Sequence, residues 1–324
     1  MADAVRVGVI GTGFGGSVVA PAFAATDDCT VVDVVTPRNA DAVAELCARD
    51  DVDLISIHSP PFLHADHVRR AIDAGHAVHC DKPFGMNAEE SAELTALAAQ
   101  TGTLNFLNFE RRFDPGREMI RALIAEGVIG APNHFAYSRF IATPGRPYTW
   151  LCDRASGGGW LAGQGSHLID CSRWLFGEVV EAEAVLRVAR AERPDADGEL
   201  HHCDADDGFV ASLVTESGVT AVIDCSLETP VSTPEHFVVF GSEGMLVLDD
   251  DGIALHTAAG DVVPYAVDWE GKVSLMLSME RWAARICDAV RTGTVDPDWP
   301  TFADGLACSV VMDEMGRSDG VVTR

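Results

Sequence analysis

VRVGVIGTGFGG, residues 5–16, decides the fold of this chain. The first six residues alternate as a strand does, and residues 18–25 behind the glycines predict a helix. In such a strand, turn and helix, Gly11 allows a tight turn, Gly13 lets the backbone approach a pyrophosphate, and Gly16 lets helix and strand pack closely. We therefore predict a dinucleotide site whose cofactor loop is formed by Gly11, Thr12, Gly13, Phe14, Gly15 and Gly16.

Alternating strand and helix patterns continue behind this loop. Apolar strands are predicted at 30–35, 53–58, 77–80 and 103–107, with helices at 40–48, 63–74 and 87–99, and a connecting helix at 115–126. Buried strands joined by helices form a parallel sheet, which binds ligands beyond the carboxyl ends of its strands. Residues 1–122 are therefore predicted to form a Rossmann dinucleotide-binding domain of the α/β class.

After the connecting helix the pattern becomes that of antiparallel strands. They are predicted at 134–141, 179–188, 208–214, 219–227, 235–240, 245–248, 253–257 and 262–267, and helices follow at 274–291 and 304–315. Residues 123–324 are therefore predicted to form an α+β domain for substrate binding, with a large open, mainly antiparallel sheet. A second subunit commonly covers such a sheet, so we expect a homodimer or homotetramer.

The composition excludes several kinds of partner. Acidic residues outnumber basic ones by 50 to 23, which gives a formal net charge of -27. Nucleic acid and anionic membranes require a basic face, so we expect neither, and we expect a small molecule as the ligand. No apolar stretch approaches the ~20 residues of a membrane span, and residues 1–4 lack signal-peptide character, so we expect a cytoplasmic protein. The nine scattered cysteines predict reduced thiols rather than disulfides.

Lysine is rare in this chain, where it occurs only as Lys82 and Lys272 among the 23 basic side chains. Lysine, unlike arginine, exchanges a proton near neutral pH when its surroundings lower its pKa. Lys82 lies in His79-Cys80-Asp81-Lys82-Pro83, at the predicted carboxyl end of strand 77–80. It is therefore the first catalytic candidate.

Several motifs together resemble those of the Gfo/Idh/MocA oxidoreductase family, which includes glucose-fructose oxidoreductase and inositol dehydrogenase. The matching segments are the glycine loop 11–16, Ser59-Pro60-Pro61-Phe62-Leu63-His64, Cys80-Asp81-Lys82-Pro83, which is similar to an EKP motif, Arg111-Arg112-Phe113-Asp114-Pro115, Trp150 with Gly157-Gly158-Gly159, and Gly165-Ser166-His167-Leu168-Ile169-Asp170. The resemblance spans almost the whole chain. It implies hydride transfer between NAD(P) and a secondary alcohol or ketone of a pyranose sugar or cyclitol, with Lys82 and His167 as catalytic residues.

Two residues depart from the family's pattern. Asp81 replaces the usual glutamate and keeps its charge. Gly163 stands where the family usually has an aspartate four residues before the histidine, so a carboxylate is missing. Two other functions therefore stay open: a non-catalytic dinucleotide-binding sensor or regulator of the same fold, and an enzyme that uses NAD(P) transiently for elimination or epimerisation.

The resemblance and the strand ends together predict the residues around the ligands. Besides the glycine loop, cofactor contacts are expected from Thr36, Arg38, Ser59, Pro60, His64, Asp81, Lys82, Asn108 and Trp150. Substrate contacts are expected from Lys82, Arg111, Tyr148, Gln164 and His167. For Tyr148 the alternative is a packing role, and for Arg111 it is an ion pair with Glu110.

The end of the second strand decides between NADP and NAD. Thr36 at this position does not repel a 2'-phosphate and Arg38 could bind it, so NADP is preferred, with NAD as the alternative if Arg38 is only a solvated loop residue. His201-His202-Cys203-Asp204 contains metal-ligating residue types but lacks the spaced pairs of a zinc site. No metal is therefore expected, and a mobile surface loop is predicted there.

Overall fold

A computed structural model of the protein describes residues 4–249, 251–316 and 322–323. The chain divides into two compact units, Met1–Phe113 with Lys272–Ser309 and Asp114–Gly271 with Val310–Arg324. Residues 272–309 thus belong to the first unit, whereas the predicted boundary between residues 122 and 123 left them in the second domain. The reason is visible at Trp282, whose fully buried ring stacks on Phe113 of the first unit.

The α-helices of the described ranges are α1 (Ala20–Ala24), α2 (Ala40–Cys47), α3 (His64–Asp73), α4 (Ala88–Thr101), α5 (Pro115–Ala125), α6 (Ser166–Phe176), α7 (Ser274–Thr292) and α8 (Phe302–Glu314). The strands are β1 (Val5–Ile10), β2 (Cys29–Val35), β3 (Leu54–Ile57), β4 (Ala77–Cys80), β5 (Asn105–Leu107), β6 (Pro132–Phe140), β7 (Val179–Val188), β8 (Glu192–Pro194), β9 (Leu200–His202), β10 (Gly208–Thr215), β11 (Thr220–Ser226), β12 (His236–Gly241), β13 (Gly244–Asp249), β14 (Gly252–Thr257), β15 (Val262–Tyr265) and β16 (Val322–Thr323). The turns Gly15–Val19 and Leu161–Gly165 are wound as π-helix, directly before α1 and α6.

The first unit contains a five-stranded sheet in the order β2-β1-β3-β4-β5, and all its strands run parallel. β3 is buried at every position, as its apolar sequence predicted. α4 begins after Asn87, whose side chain accepts the N–H of Glu90, while the Glu90 carboxylate accepts the N–H of Met86. The predicted Rossmann architecture is confirmed, and these two hydrogen bonds form a capping box at the start of α4.

The second unit contains a nine-stranded sheet in the order β15-β14-β13-β12-β6-β11-β10-β7-β16. Most pairs of adjacent strands in this sheet are antiparallel, while the pairs β6–β11 and β7–β16 are parallel. The predicted large, mainly antiparallel sheet is thus confirmed. Its surface includes Val185, Val210 and Val222, which are 61%, 47% and 44% exposed, so part of one sheet face is apolar.

Two segments of the second unit, besides the short strand β16, differ from the prediction. Segment 192–202 forms the hairpin β8–β9 instead of a loop, because the Asp195 carboxylate accepts the N–H groups of Asp197 and Glu199 and closes the turn. α6 was not predicted, because the two glycines and the π-winding of Leu161–Gly165 interrupt the 3.6-residue pattern in front of it.

No helix within the described ranges has both the length and the apolar character needed to cross a bilayer. All nine cysteines have free thiols.

Candidate active site

Four neighbouring strands of the first unit are each followed directly by a residue of the candidate active site. Gly11, His58, Asp81 and Asn108 are the first residues after β1, β3, β4 and β5. The His58 N–H continues the sheet by donating to the carbonyl oxygen of Ile10 at 2.7 Å. The strand order reverses between β1 and β3, which is where ligands bind in sheets of this kind. The predicted site residues of the first unit therefore share one edge of the sheet.

The glycine loop is tight at two positions and open at a third. Gly11 has a φ of +139°, and a Cβ there would lie 2.5 Å from the carbonyl oxygen of His58, so the turn requires glycine. A Cβ at Gly15 would lie 2.9 Å from the Cβ of His58. A Cβ at Gly16 would have its nearest neighbouring atoms 3.6 Å away. The close packing predicted at Gly16 therefore occurs at Gly15. A Cβ at Gly13 would meet no described atom within 4 Å, and this open backbone fits a dinucleotide phosphate.

Asp81 accepts hydrogen bonds from several directions. Its Oδ2 lies 3.3 Å from His58 Nδ1, and its Oδ1 accepts from the Lys82 backbone N–H at 2.9 Å and from Asn108 Nδ2 at 3.2 Å. Burial would raise the pKa of Asp81, but the hydrogen bond and charge of His58, followed by the charges of Lys82 and His64, hold that pKa well below its usual range. Asp81 is therefore ionised at neutral pH.

The ring of His58 continues into a buried polar chain. Its Nε2 lies 2.8 Å from Ser56 Oγ, which lies 2.9 Å from His79 Nδ1. Burial, and then the charge of His58, lower the pKa of His79 to about 3, so this ring is neutral. Ser56, His58 and Asp81 have the connectivity of a serine-hydrolase triad. Ser56 is fully buried, however, so this hydroxyl does not meet a substrate.

Lys82 follows Asp81 directly and is partly exposed. Burial lowers the pKa of its amine, an effect that the carboxylates of Asp81 and Glu110 oppose and the charge of Arg111 reinforces. Burial also raises the pKa of Glu110, against the charges of Arg111 and Lys82. The structure thus brings the predicted residues Asp81, Lys82 and Arg111 into one charged cluster with Glu110.

The loop from Ser59 to His64 is fixed by buried histidines. His64 Nε2 lies 2.8 Å from the carbonyl oxygen of Ser59, and His64 Nδ1 lies 3.1 Å from that of Pro83. Ser59 Oγ lies 3.0 Å from His67 Nδ1. His64 is fully buried, so it supports these two backbone segments, while Pro60 of the same loop is partly exposed.

The residue after β2 is Thr36, as predicted. Thr36 Oγ1 lies 3.5 Å from the backbone N–H of Arg38, whose side chain is exposed. Asp33, within β2, pairs with Arg49 at 3.5 Å. The end of β2 therefore presents a hydroxyl and a guanidinium, and the carboxylate of Asp33 faces Arg49.

In the second unit, His167 is the second residue of α6 and is only 4% exposed. The turn before it starts where Asp206 Oδ2 accepts the N–H groups of Trp160 at 3.0 Å and Leu161 at 2.8 Å. Gly163, the position of the missing carboxylate, lies in this turn. Asp206 therefore fixes the start of the helical segment that carries both Gly163 and His167.

The other predicted ligand contacts of the second unit take part in internal packing. Gln164 is 2% exposed and donates from Nε2 to the hydroxyl of Tyr137 at 3.0 Å. Tyr148 stacks on His201 with ring centroids 4.6 Å apart, which favours its packing alternative. Trp150 is partly exposed at the start of a short helical turn. The contacts of these residues with cofactor or substrate stay predictions.

One cluster of the second unit has the residue types of a metal site. Ligand atoms of Asp195, Glu199 and His201 lie within 4.8 Å of one another. His201 Nε2 already pairs with Asp195 at 2.9 Å. Exposed acidic groups often lie this close without an ion, so the cluster assigns no metal and the absence of a metal stays a prediction.

Sequence reasoning missed four residues that shape the site: Ser56, His58, His79 and Asp206. For the first three a signal was available, because polar residues interrupt or directly follow the apolar strands β3 and β4. A buried polar group needs a partner, so such interruptions indicate a network. Asp206 gave no comparable signal, because it lies close to Asp204 and Asp207 in a polar connection.

Comparisons with known proteins agree with this geometry. A model described as "Oxidoreductase family, NAD-binding Rossmann fold" matches residues 5–109, and one described as "GFO/IDH/MocA C-terminal domain" matches residues 118–247. An uncharacterised oxidoreductase of Synechocystis sp. is 32% identical over 77% of this chain and 72% of that protein. Inositol 2-dehydrogenase of Rhizobium meliloti is 29% identical over 79% of each chain.

A solved structure of levoglucosan dehydrogenase in complex with NADH and levoglucosan has the same fold. The TM-score is 0.84 over 98% of this chain and 97% of that chain, at 22% sequence identity. With its domain matches and a relative at 32% identity, the chain belongs to the Gfo/Idh/MocA family of oxidoreductases and carries that family's NAD-binding Rossmann domain.

Proposed function

We propose that the protein is an NAD(P)-dependent dehydrogenase or reductase acting on a secondary alcohol or ketone of a pyranose or cyclitol. The observation that carries the proposal is the position of Lys82, the second residue after β4, partly exposed beside the ionised Asp81. Because burial lowers the pKa of its amine, Lys82 exchanges a proton near neutral pH more readily than an ordinary lysine does. The names of the relatives, inositol 2-dehydrogenase and levoglucosan dehydrogenase, support a cyclic polyhydroxyl substrate.

In this mechanism Lys82 is the general base or acid. When bound, the nicotinamide supplies the hydride acceptor or donor. In the oxidation direction neutral Lys82 accepts the hydroxyl proton of the substrate, and in the reduction direction its ammonium form returns a proton to the carbonyl oxygen. Proton transfer of this kind contributes about 100- to 10,000-fold to the rate. We assign His167 an assisting role at the substrate oxygen.

The cofactor follows from the end of β2. NADP is preferred in this proposal, because Thr36 offers no carboxylate and the exposed Arg38 is free to approach a 2'-phosphate in solution. The carboxylate of Asp33 is already paired with Arg49. NAD is the alternative, and the NAD-binding description of the matching domain supports it.

We also propose a cytoplasmic homodimer or homotetramer. A second copy would cover the exposed valines Val185, Val210 and Val222 of β7, β10 and β11. The nine free thiols suit a reducing compartment. Sedimentation at micromolar concentration should give two or four chains, and a monomer there would contradict this part of the proposal.

The central test compares the two lysines. Lys82→Ala should lose at least about 100-fold in turnover with an active pyranose or cyclitol, while its affinity for the dinucleotide stays near that of the unmodified protein. Lys272→Ala, which removes an exposed lysine paired with Glu280, is the matched control. Turnover is followed by the absorbance of reduced nicotinamide with NADP and with NAD.

Each outcome of this test has a distinct meaning. Near-normal turnover in Lys82→Ala overturns the role of Lys82. Dinucleotide binding without turnover of any sugar or cyclitol tested indicates the sensor alternative. Conversion of a substrate without net reduction of the cofactor indicates elimination or epimerisation.

A further inference from the structure

His58 connects the glycine loop with the charged residues after β4. Its side chain is fully buried, and its backbone oxygen and Cβ lie against the positions where Gly11 and Gly15 lack side chains. Its Nδ1 faces Asp81 Oδ2 at 3.3 Å. A carboxylate only accepts hydrogen bonds, so Nδ1 carries the proton in this pair. Nε2 of the same ring lies 2.8 Å from the Ser56 hydroxyl.

Further contacts connect His58 and Asp81 with the neighbouring strands. Ser56 Oγ, next to His58 Nε2, also lies 2.9 Å from His79 Nδ1. On the other side of Asp81, Asn108 Nδ2 donates to Oδ1 at 3.2 Å. Polar side chains of β3 and β4, and those directly after β3 and β5, are therefore connected to the carboxylate of Asp81.

We propose that His58 is a positioning residue for Asp81, which it holds in one orientation and in its ionised form beside Lys82. The inference rests on the proposed function, because an ionised neighbour sets how firmly the Lys82 amine holds its proton. The charged or titratable groups that face Asp81 include Lys82, His58 and His64 of α3, and its charge also acts on His79 and Cys80 of β4 and on Glu110.

Two further charged groups face Lys82 itself, namely Glu110 and Arg111. Both belong to the short helical turn behind β5, so they stay in place when His58 is changed. A change confined to His58 therefore alters the environment of Asp81 and leaves the other neighbours of Lys82 as they are.

Two amide substitutions distinguish the effect of the hydrogen bond to Asp81 from the effect of the side chain's volume. His58→Asn places an N–H close to the position of Nδ1, so it keeps a donor for Asp81. His58→Gln places its amide close to the position of Nε2, facing Ser56, and so removes that donor. Both variants keep the Cβ that packs against Gly15.

The proton affinity of Asp81 is measured by ¹³C NMR of protein labelled at the aspartate carboxyl carbon, between pH 8 and pH 4. The signal of Asp81 is the one missing from Asp81→Asn. In the unmodified protein and in His58→Asn it should stay ionised down to pH 4. In His58→Gln the charges of Lys82 and His64 and the hydrogen bonds from Asn108 and the Lys82 N–H still oppose the effect of burial, but the contribution of His58 is lost. Asp81 should therefore titrate above pH 4, with a proton affinity at least about tenfold higher.

The inference is overturned if Asp81 of His58→Gln stays ionised down to pH 4, or if it titrates at the same pH as Asp81 of His58→Asn. A second measurement covers the case in which His58→Gln does not fold. ¹⁵N NMR of the histidines in the unmodified protein should show His58 protonated at Nδ1, its signals being those lost in His58→Asn. A ring protonated only at Nε2 overturns the inference as well.

Both measurements proceed without cofactor or substrate, so they remain decisive if Lys82 proves not to be catalytic. Conversely, failure of the NMR result leaves the turnover test of Lys82→Ala intact. If both hold, His58→Gln should show a fall in kcat over the pH range in which its Asp81 becomes protonated, with KM less affected. In His58→Asn the fall in kcat should occur at a lower pH than in His58→Gln.

Discussion

Asp206 Oδ2 accepts the backbone N–H of Leu161 at 2.8 Å, at the start of the helical segment that carries His167. Burial raises the pKa of Asp206 to about 7, against the lowering effect of the Leu161 and Trp160 N–H groups. An unfolded aspartate has a pKa of about 3.9. Between these values the folded protein holds a proton that the unfolded chain has lost, so this contribution to stability is present at low pH and is lost as the pH rises through about 7.

Asp206→Asn should remove this pH dependence, because asparagine keeps an acceptor for the Leu161 N–H and does not ionise. Relative to the unmodified protein, the free energy of unfolding of the variant should rise from pH 5 to pH 8 by about 3 kcal/mol, because about two pKa units of the shift lie in this range and one unit corresponds to about 1.4 kcal/mol. Denaturant unfolding at both pH values measures the difference. Asp204→Asn, at an exposed neighbour, is the control, and a pH-independent difference for Asp206→Asn would contradict the prediction.

Gly13 and Gly11 should respond differently to the same added methyl group. Gly13→Ala should fold with a free energy of unfolding within about 0.5 kcal/mol of the unmodified protein, because the methyl meets no described atom within 4 Å, yet lose at least about tenfold in dinucleotide affinity. Gly11→Ala should lose about 2 kcal/mol or more, because its φ is +139° and the methyl would lie 2.5 Å from the His58 oxygen. Thermal unfolding and calorimetric titration measure the two effects. Unchanged dinucleotide binding in Gly13→Ala would exclude the predicted contact of this loop with the pyrophosphate.

The residue after β2 should control the choice between NADP and NAD. Thr36→Asp places a carboxylate where a 2'-phosphate is expected, so affinity for NADPH should fall at least about tenfold while affinity for NADH changes little. Titration with each reduced nucleotide gives the ratio. Asp33→Asn removes a carboxylate that faces Arg49 within β2, and it should leave the ratio unchanged. If Thr36→Asp also leaves the ratio unchanged, the ribose is bound elsewhere.

Much of the first unit could be predicted because its signals are local in the sequence. The glycine loop sits between a strand and a helix, and the rarity of lysine draws attention to Lys82 at the end of β4. Apolar runs of strand length define the parallel sheet without knowledge of any distant contact. Thr36 could be placed after β2 on the same grounds.

The network around Asp81 could not be predicted, because it depends on side chains brought together by strand pairing. Ser56 and His79 are 23 residues apart in the chain and meet only because β3 and β4 pair in that register. The contact of Asp206 with Leu161 likewise joins residues 45 positions apart. Sequence patterns identify the strands and helices, but partners this distant are set by tertiary packing.

Gly163→Asp tests whether the missing carboxylate matters for proton transfer. A Cβ at Gly163 would lie 3.4 Å from the Trp160 ring and 3.6 Å from a Leu151 methyl, which are ordinary contacts, so the variant should fold with a free energy change of about 1 kcal/mol or less. The new carboxylate lies about one helical turn before His167 and should favour the protonated imidazole. The part of the pH–rate profile that depends on His167 should therefore move up by about 0.5–1 pH unit. Gly163→Ala adds the Cβ without the charge, and equal profiles for the two variants would show that His167 takes no part in the proton transfer.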